Sequence, residues 1–217
     1  MAIAQALGQI MDVAQAACPP TPQLVSPLAQ GTDMLAAELA VARGWRVIAP
    51  LPFGIAINIA VNIDDPAQRL AWLVRQAVTP ETASLAHAMQ DLAAQAHCRA
   101  FDHDDALAET LMRTGANAGA LDALVADHAA AAAAIVIDAS AAVVAVWDGV
   151  SPGGRGGTRH TMVQALERGR PVLWIDARAP KTGAWLTAPD DLTQVGDGDG
   201  VIDWAGFAAW CGTHGSV

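Results

Sequence analysis

The sequence predicts an α/β domain in three layers, a parallel sheet with helices on both faces. Three observations carry this. Short apolar runs alternate with helical periodicities along most of the chain. From Ala142 to Ile175 the order is strand, glycine loop, helix, strand. The chain has 217 residues and is 53% hydrophobic, enough for one sizeable core. Right-handed crossovers between parallel strands then bring the loops to the strands' C-terminal edge, where ligands of such sheets bind.

The elements follow in order. Ala2 to Ala17 reads as an amphipathic helix on Ile3, Leu7, Ile10, Met11 and Val13, and the prolines of Cys18-Pro-Pro-Thr-Pro22 end it. Leu24 to Leu28 is a short strand, and Gln30 to Asp33 turns into a helix, Met34 to Arg43, closed by Gly44. Arg46 to Ala49 is the next strand. Ile55, Ile57, Ile59, Val61 and Ile63 alternate with smaller residues, and that period of two predicts a strand. Helices are expected over 66–78 and 80–97, each with proline in its first turn, where the missing N–H costs nothing. Arg99 to Phe101 reads as a strand, and Asp104 to Met112 and Leu121 to Ala139 read as helices. The apolar run Ala129 to Trp147 is largely alanine with Asp138 inside it, so it reads as a buried helix passing into a buried strand, with no membrane span. The expected organisation is one domain over 1–188, with a helical insertion at about 54–119, and an acidic Gly/Asp-rich tail over 189–217 outside the core sheet.

The formal charge of −10 disfavours nonspecific binding to nucleic acid or anionic lipid. Three cysteines at scattered positions form neither a CxxC pair nor a disulfide framework, and no signal peptide is visible. A reducing cytoplasm is the expected setting. With no tyrosine and three phenylalanines, the seven tryptophans and the aliphatics must fill the core.

The stretch Ser151-Pro-Gly-Gly-Arg-Gly-Gly-Thr158 carries the functional expectation. Glycines let backbone N–H groups approach a ligand, and the following helix start adds partial positive charge, so the natural guest is a phosphate or another anion. Gly153, Gly154, Gly156, Gly157 and Thr158 are the candidate ligands, with Arg155 as a cation beside them. Gly31, Thr32 and Asp33 form a second candidate group at the end of another strand, where Asp33 could accept ribose hydroxyls or hold a neighbouring loop through backbone N–H bonds. Asp148 is expected to organise the loop. His87, His97, His103 and His128 show no metal-ligand spacing, and Asp102 to Asp105 reads as a solvated helix start. Val195 to Gly206 resembles a calcium loop but lacks its first and last acidic ligands, so it reads as an acidic turn. No metal and no cofactor are expected.

Leu24-Val-Ser-Pro-Leu-Ala-Gln-Gly-Thr-Asp33 resembles the second strand and Gly-x-Asp turn of the SLOG superfamily of Rossmann-like domains. Ala142 to Gly149, Gly156-Gly-Thr158 and Pro171 to Asp176 resemble that superfamily's C-terminal half. The resemblance implies a domain for nucleotides or nucleotide-derived ligands, related to the Lonely Guy phosphoribohydrolases and the lysine-decarboxylase-like proteins. Such domains normally open with a strand and a glycine loop ahead of the first helix, whereas this sequence opens at that helix. The enzyme pattern Pro-Gly-Gly-x-Gly-Thr-x-x-Glu is also altered: one residue is added, and Thr161 stands in place of the glutamate. Threonine cannot act as a carboxylate base. The expectation is therefore noncatalytic binding or sensing of a nucleotide or other phosphorylated small molecule, with a homodimer as a possible assembly. The alternatives are a nucleoside-monophosphate phosphoribohydrolase and a non-binding oligomerisation module.

Overall fold

The computed structural model describes residues 2–17, 22–115, 118–195 and 200–214. Its first half places α1 (Ala2–Ala17), β1 (Gln23–Val25), α2 (Thr32–Ala42), β2 (Arg46–Leu51), α3 (Ile55–Val61), α4 (Pro66–Leu73), α5 (Pro80–Gln95) and β3 (His97–Ala100) in that order. A 3-10 turn (Asp102–Asp104) leads into α6 (Asp105–Thr114), then come α7 (Ala118–Asp138), β4 (Val143–Trp147), α8 (Thr158–Glu167), β5 (Val172–Asp176), β6 (Gly183–Leu186), a second 3-10 turn (Pro189–Gln194) and α9 (Trp204–His214).

The fold is mixed α/β, but the strands form two small sheets in place of one. β1, β2 and β3 pair in parallel, with Leu24 opposite Val47 and Leu51 opposite Ala100. β4 and β5 pair in parallel, and β6 adds to β5 antiparallel. Among the described residues β1 pairs only with β2 and β4 only with β5. The continuous parallel sheet expected from the sequence is thus divided between a three-residue β1 and β4, and β6 is an addition to the expected strands.

Local chemistry accounts for several helix ends. Asp65 and Thr79 cap α4 and α5 with their side chains, and Pro66 and Pro80 occupy the first turn. Gly44 follows α2, and the Trp45 N–H reaches back to the Ala40 carbonyl. Three further elements differ from the sequence expectation. Ile55–Val61 is a helix, because Ile57, Asn58, Ile59 and Ala60 are consecutively buried and the short element is covered on several sides. The strand expected at Arg99 to Phe101 is β3, and it pairs with β2, so the 54–119 segment is not wholly helical. The chain beyond 189 is more than an acidic tail: Ile202, Phe207 and Cys211 are buried with Leu7, Ile10, Leu173 and Ile175. α7, expected to be buried, exposes most of its length. It is the one helix among the described residues long and apolar enough to cross a membrane. It packs on α6, α8 and β2. The proline run after α1 and the Gly/Asp run at 196–199 lie outside the described residues.

α1 joins the two sheets. Met11 packs in the cluster of Leu28, Val47 and Met89, while Leu7 and Ile10 pack against Leu173 and Ile175. We expect Ile10→Ala to cost about 2–5 kcal/mol through the cavity it leaves. Urea unfolding followed by fluorescence should show one earlier transition, since both halves lose the same support.

Candidate functional site

β4 ends at Trp147, and the chain then makes a short built loop. The Asp148 carboxylate accepts hydrogen bonds from the Ser151 hydroxyl and from the Val150 and Ser151 N–H groups. These donors, the Ser151 hydroxyl first, hold its pKa below the usual carboxylate value. The Trp147 indole N–H donates to the Ser151 carbonyl at 3.1 Å. Asp148 therefore organises the loop, in line with the sequence expectation.

The glycines then serve different ends. Gly156 sits at φ 78°, and a Cβ there would lie 2.7 Å from the Ala129 Cβ of α7. Its missing side chain is what lets the loop lie against that helix. Gly154 has open space around its Cα, so no packing reason demands glycine there. Gly157 is the N-cap of α8 and has no side chain to cap with. The first intrahelical bond runs from the Thr161 N–H to the Gly157 carbonyl, so the N–H groups of Thr158, Arg159 and His160 have no intrahelical acceptor. Thr158 is the first helical residue rather than the cap. The Thr161 hydroxyl donates to the Gly157 carbonyl at 3.1 Å.

A cavity of about 340 Å³ lies beside this helix start, lined by Gly153, Gly154, Arg155, Arg159, His160 and Val163. A second of about 340 Å³ runs between α7 and α8, floored by Ala130 and Ala134 and bordered by Arg155, His160 and Arg168. The cations are partly engaged: Arg155 pairs with Asp127 at 2.9 Å, and Arg168 with Asp138 at 3.6 Å. Arg155 is about two-thirds exposed, so its pair is weak and can be exchanged.

Gly31, Thr32 and Asp33 lie after β1 at the start of α2 and line neither cavity. Gly31 has φ 97° and is the N-cap of α2. The Asp33 carboxylate accepts the Ala29 N–H at 3.4 Å and so holds its own turn. Burial pushes its pKa up to about 6, against the smaller effect of that bond. The structure thus gathers the loop residues 153–158 around one helix start and leaves 31–33 on a separate turn, each at the C-terminal end of a parallel strand.

One cluster joins residues that the sequence sets apart, His103 and Asp104 in a solvated helix start and His128 as a histidine without ligand spacing. His128 of α7, nearly buried, stacks on Phe53 with ring centroids 4.4 Å apart. Its Nδ1 lies 2.7 Å from the Pro52 carbonyl and its Nε2 lies 2.9 Å from Asp104 Oδ2. His103 Nε2 approaches the same oxygen at 3.3 Å. Separations of 24 and 76 residues hide the contacts, and no spacing rule could find them.

No family model matches the chain, and no curated protein or solved structure is found similar to it.

Burial of Asp33 makes stability depend on pH. Between the ordinary carboxylate value near 4 and about 6, the folded state holds a proton that the unfolded state has released. Stability should fall as pH rises through that window, by roughly 3 kcal/mol at most. Asp33→Asn should flatten the slope and raise stability at neutral pH, measured by denaturant unfolding across the window. Gly156→Ala should lower stability by about 1–3 kcal/mol, since both the positive φ and the α7 contact resist a side chain. Thermal unfolding checks it.

Proposed function

We propose that the chain binds a nucleotide or other phosphorylated small molecule on the 153–158 loop and does not turn it over. The supporting observation is the cavity beside the uncapped start of α8. The start of α8 leaves three N–H groups without intrahelical acceptors and a helix dipole worth about 0.3–2 kcal/mol toward an anion, and Arg155 and Arg159 line the cavity beside it. The alanine-floored groove between α7 and α8 adjoins it through Arg155 and His160 and offers room for an apolar base. In this reading Arg155 leaves Asp127 to meet phosphate. Thr161 spends its hydroxyl on the Gly157 carbonyl and offers no carboxylate, which favours binding over hydrolysis.

The same reading takes the chain as a Rossmann-like, three-layer relative of the SLOG superfamily, its two sheets being halves of one layer. Parallel pairing in both sheets supports it, as do the glycine loop after β4 and α1 packing on strands of both. A cytoplasmic setting and a dimer through the exposed alanine-rich face of α7 belong to this proposal. The six histidines apart, the chain is strongly acidic, with a net charge of −10, and this argues against a nucleic-acid partner.

A thermal-shift panel of AMP, ADP, ATP and inorganic phosphate tests the proposal. A phosphate-dependent rise in melting temperature is expected. Gly154→Asp should abolish it without unfolding the chain, since there is space for the side chain and its charge repels the anion. Asp127→Asn should strengthen binding by releasing Arg155. A flat response throughout would leave the oligomerisation reading, and release of free base from AMP would restore the phosphoribohydrolase one.

A further inference from the structure

We infer that His103, Asp104 and His128 form a binding site for a divalent first-row transition cation of the zinc type. Their ligand atoms all lie within 4.8 Å of one another. Two of the separations, 2.9 Å and 3.3 Å, are those of neighbouring ligands around an ion held at about 2.0–2.2 Å. Two imidazoles and one carboxylate form a donor set that suits zinc and its neighbours and excludes calcium and magnesium as preferred guests.

The second observation lies behind the ligands. His128 is held by its far side: Nδ1 donates to the Pro52 carbonyl at 2.7 Å, and Phe53 stacks on the ring. That arrangement fixes the tautomer whose Nε2 lone pair faces the cluster, the usual support of a metal-bound histidine. Asp105 is engaged elsewhere, accepting the Gly54 N–H at 3.0 Å, and Asp104 is the carboxylate whose Oδ2 faces both imidazoles. The protein positions these groups with its strands: Pro52 follows β2, the 102–104 turn follows β3, and the Phe101 N–H donates to the Leu51 carbonyl between them. The site therefore lies at the C-terminal end of two parallel strands, where ligands of such sheets bind. His103 is mostly exposed, so coordination positions beyond the three protein ligands face solvent. None of the three ligands lines either cavity at the glycine loop.

Metal and protons compete for the same ligand lone pairs, so affinity falls with acidity. The test titrates the EDTA-stripped full chain with Co²⁺, then Zn²⁺, at neutral pH. One equivalent of Co²⁺ should bind with weak d–d bands and no intense thiolate-to-metal band, Zn²⁺ should displace it, and either ion should raise the melting temperature reversibly. His103→Ala, at an exposed side chain, should keep the metal-free melting temperature and weaken binding by about tenfold or more. Asp104→Asn should do the same to affinity. Absence of equimolar uptake would overturn the inference, as would uptake undiminished in both variants, or a thiolate band marking the cysteines as ligands.

Discussion

Side-chain packing, rather than a strand ladder, holds the two sheets together. No strand pair joins β1–β2–β3 to β4–β5–β6 among the described residues. Two helices do the joining. α1 places Met11 in the cluster of the first sheet and Leu7 and Ile10 in that of the second. α7 contacts β2, and its Ile137 packs with Val143, Trp147 and Trp174. Each fully buried aliphatic contributes about 1.5–3 kcal/mol, and packing of this kind sets orientation less directly than a hydrogen-bonded register does. The positions of the 148–157 loop and of the 31–33 turn relative to one another therefore rest on how these two helices lie.

The alternation of elements is legible in the sequence because its punctuation is chemical. Prolines at 66 and 80, Gly44 and the apolar run 143–147 each mark a boundary by a backbone constraint that tertiary contacts do not override. Ile55 to Ile63 misleads because its alternation of isoleucine or valine with alanine or asparagine does not sort inside from outside. Its small partners, Asn58 and Ala60, are buried as deeply as the isoleucines, so a period of two carries no inside and outside. The C-terminal segment misleads by composition. Glycine and aspartate surround Trp204, Phe207 and Trp210, and only the partner surface of α1 and β6 shows that those rings are buried or half-buried contacts.

The glycine loop is legible as a motif and only partly as a mechanism. Four glycines in five residues suggest a cradle for anions, yet Gly156 has a packing duty against α7, and Gly154 is the position with no structural demand on it. A glycine kept where a side chain would fit is the stronger pointer toward a ligand. The arginines nearby are visible in sequence, whereas their pairing with Asp127 and Asp138 is not, because those acids come from another helix. The role of His128 is hidden for the same reason: its partners sit on the loops that end β2 and β3.

The two proposed sites differ in what their atoms can offer, and that difference limits what each can bind. Around α8 the groups on offer are N–H donors at the helix start and the guanidinium groups of Arg155 and Arg159, the first of them paired with Asp127. Around His128 the groups are two imidazole nitrogens and a carboxylate oxygen drawn together, the His128 ring held by a backbone carbonyl on one side and by stacking on Phe53. An anion gains little from the second set and a cation little from the first, so neither site is a spare copy of the other. Both arise from one feature of parallel strands: their C-terminal ends release the chain into loops beside helix starts, where backbone groups are left over. Which polarity results depends on what fills the first turn after the strand: glycines and arginine after β4, an aspartate and histidine turn after β3.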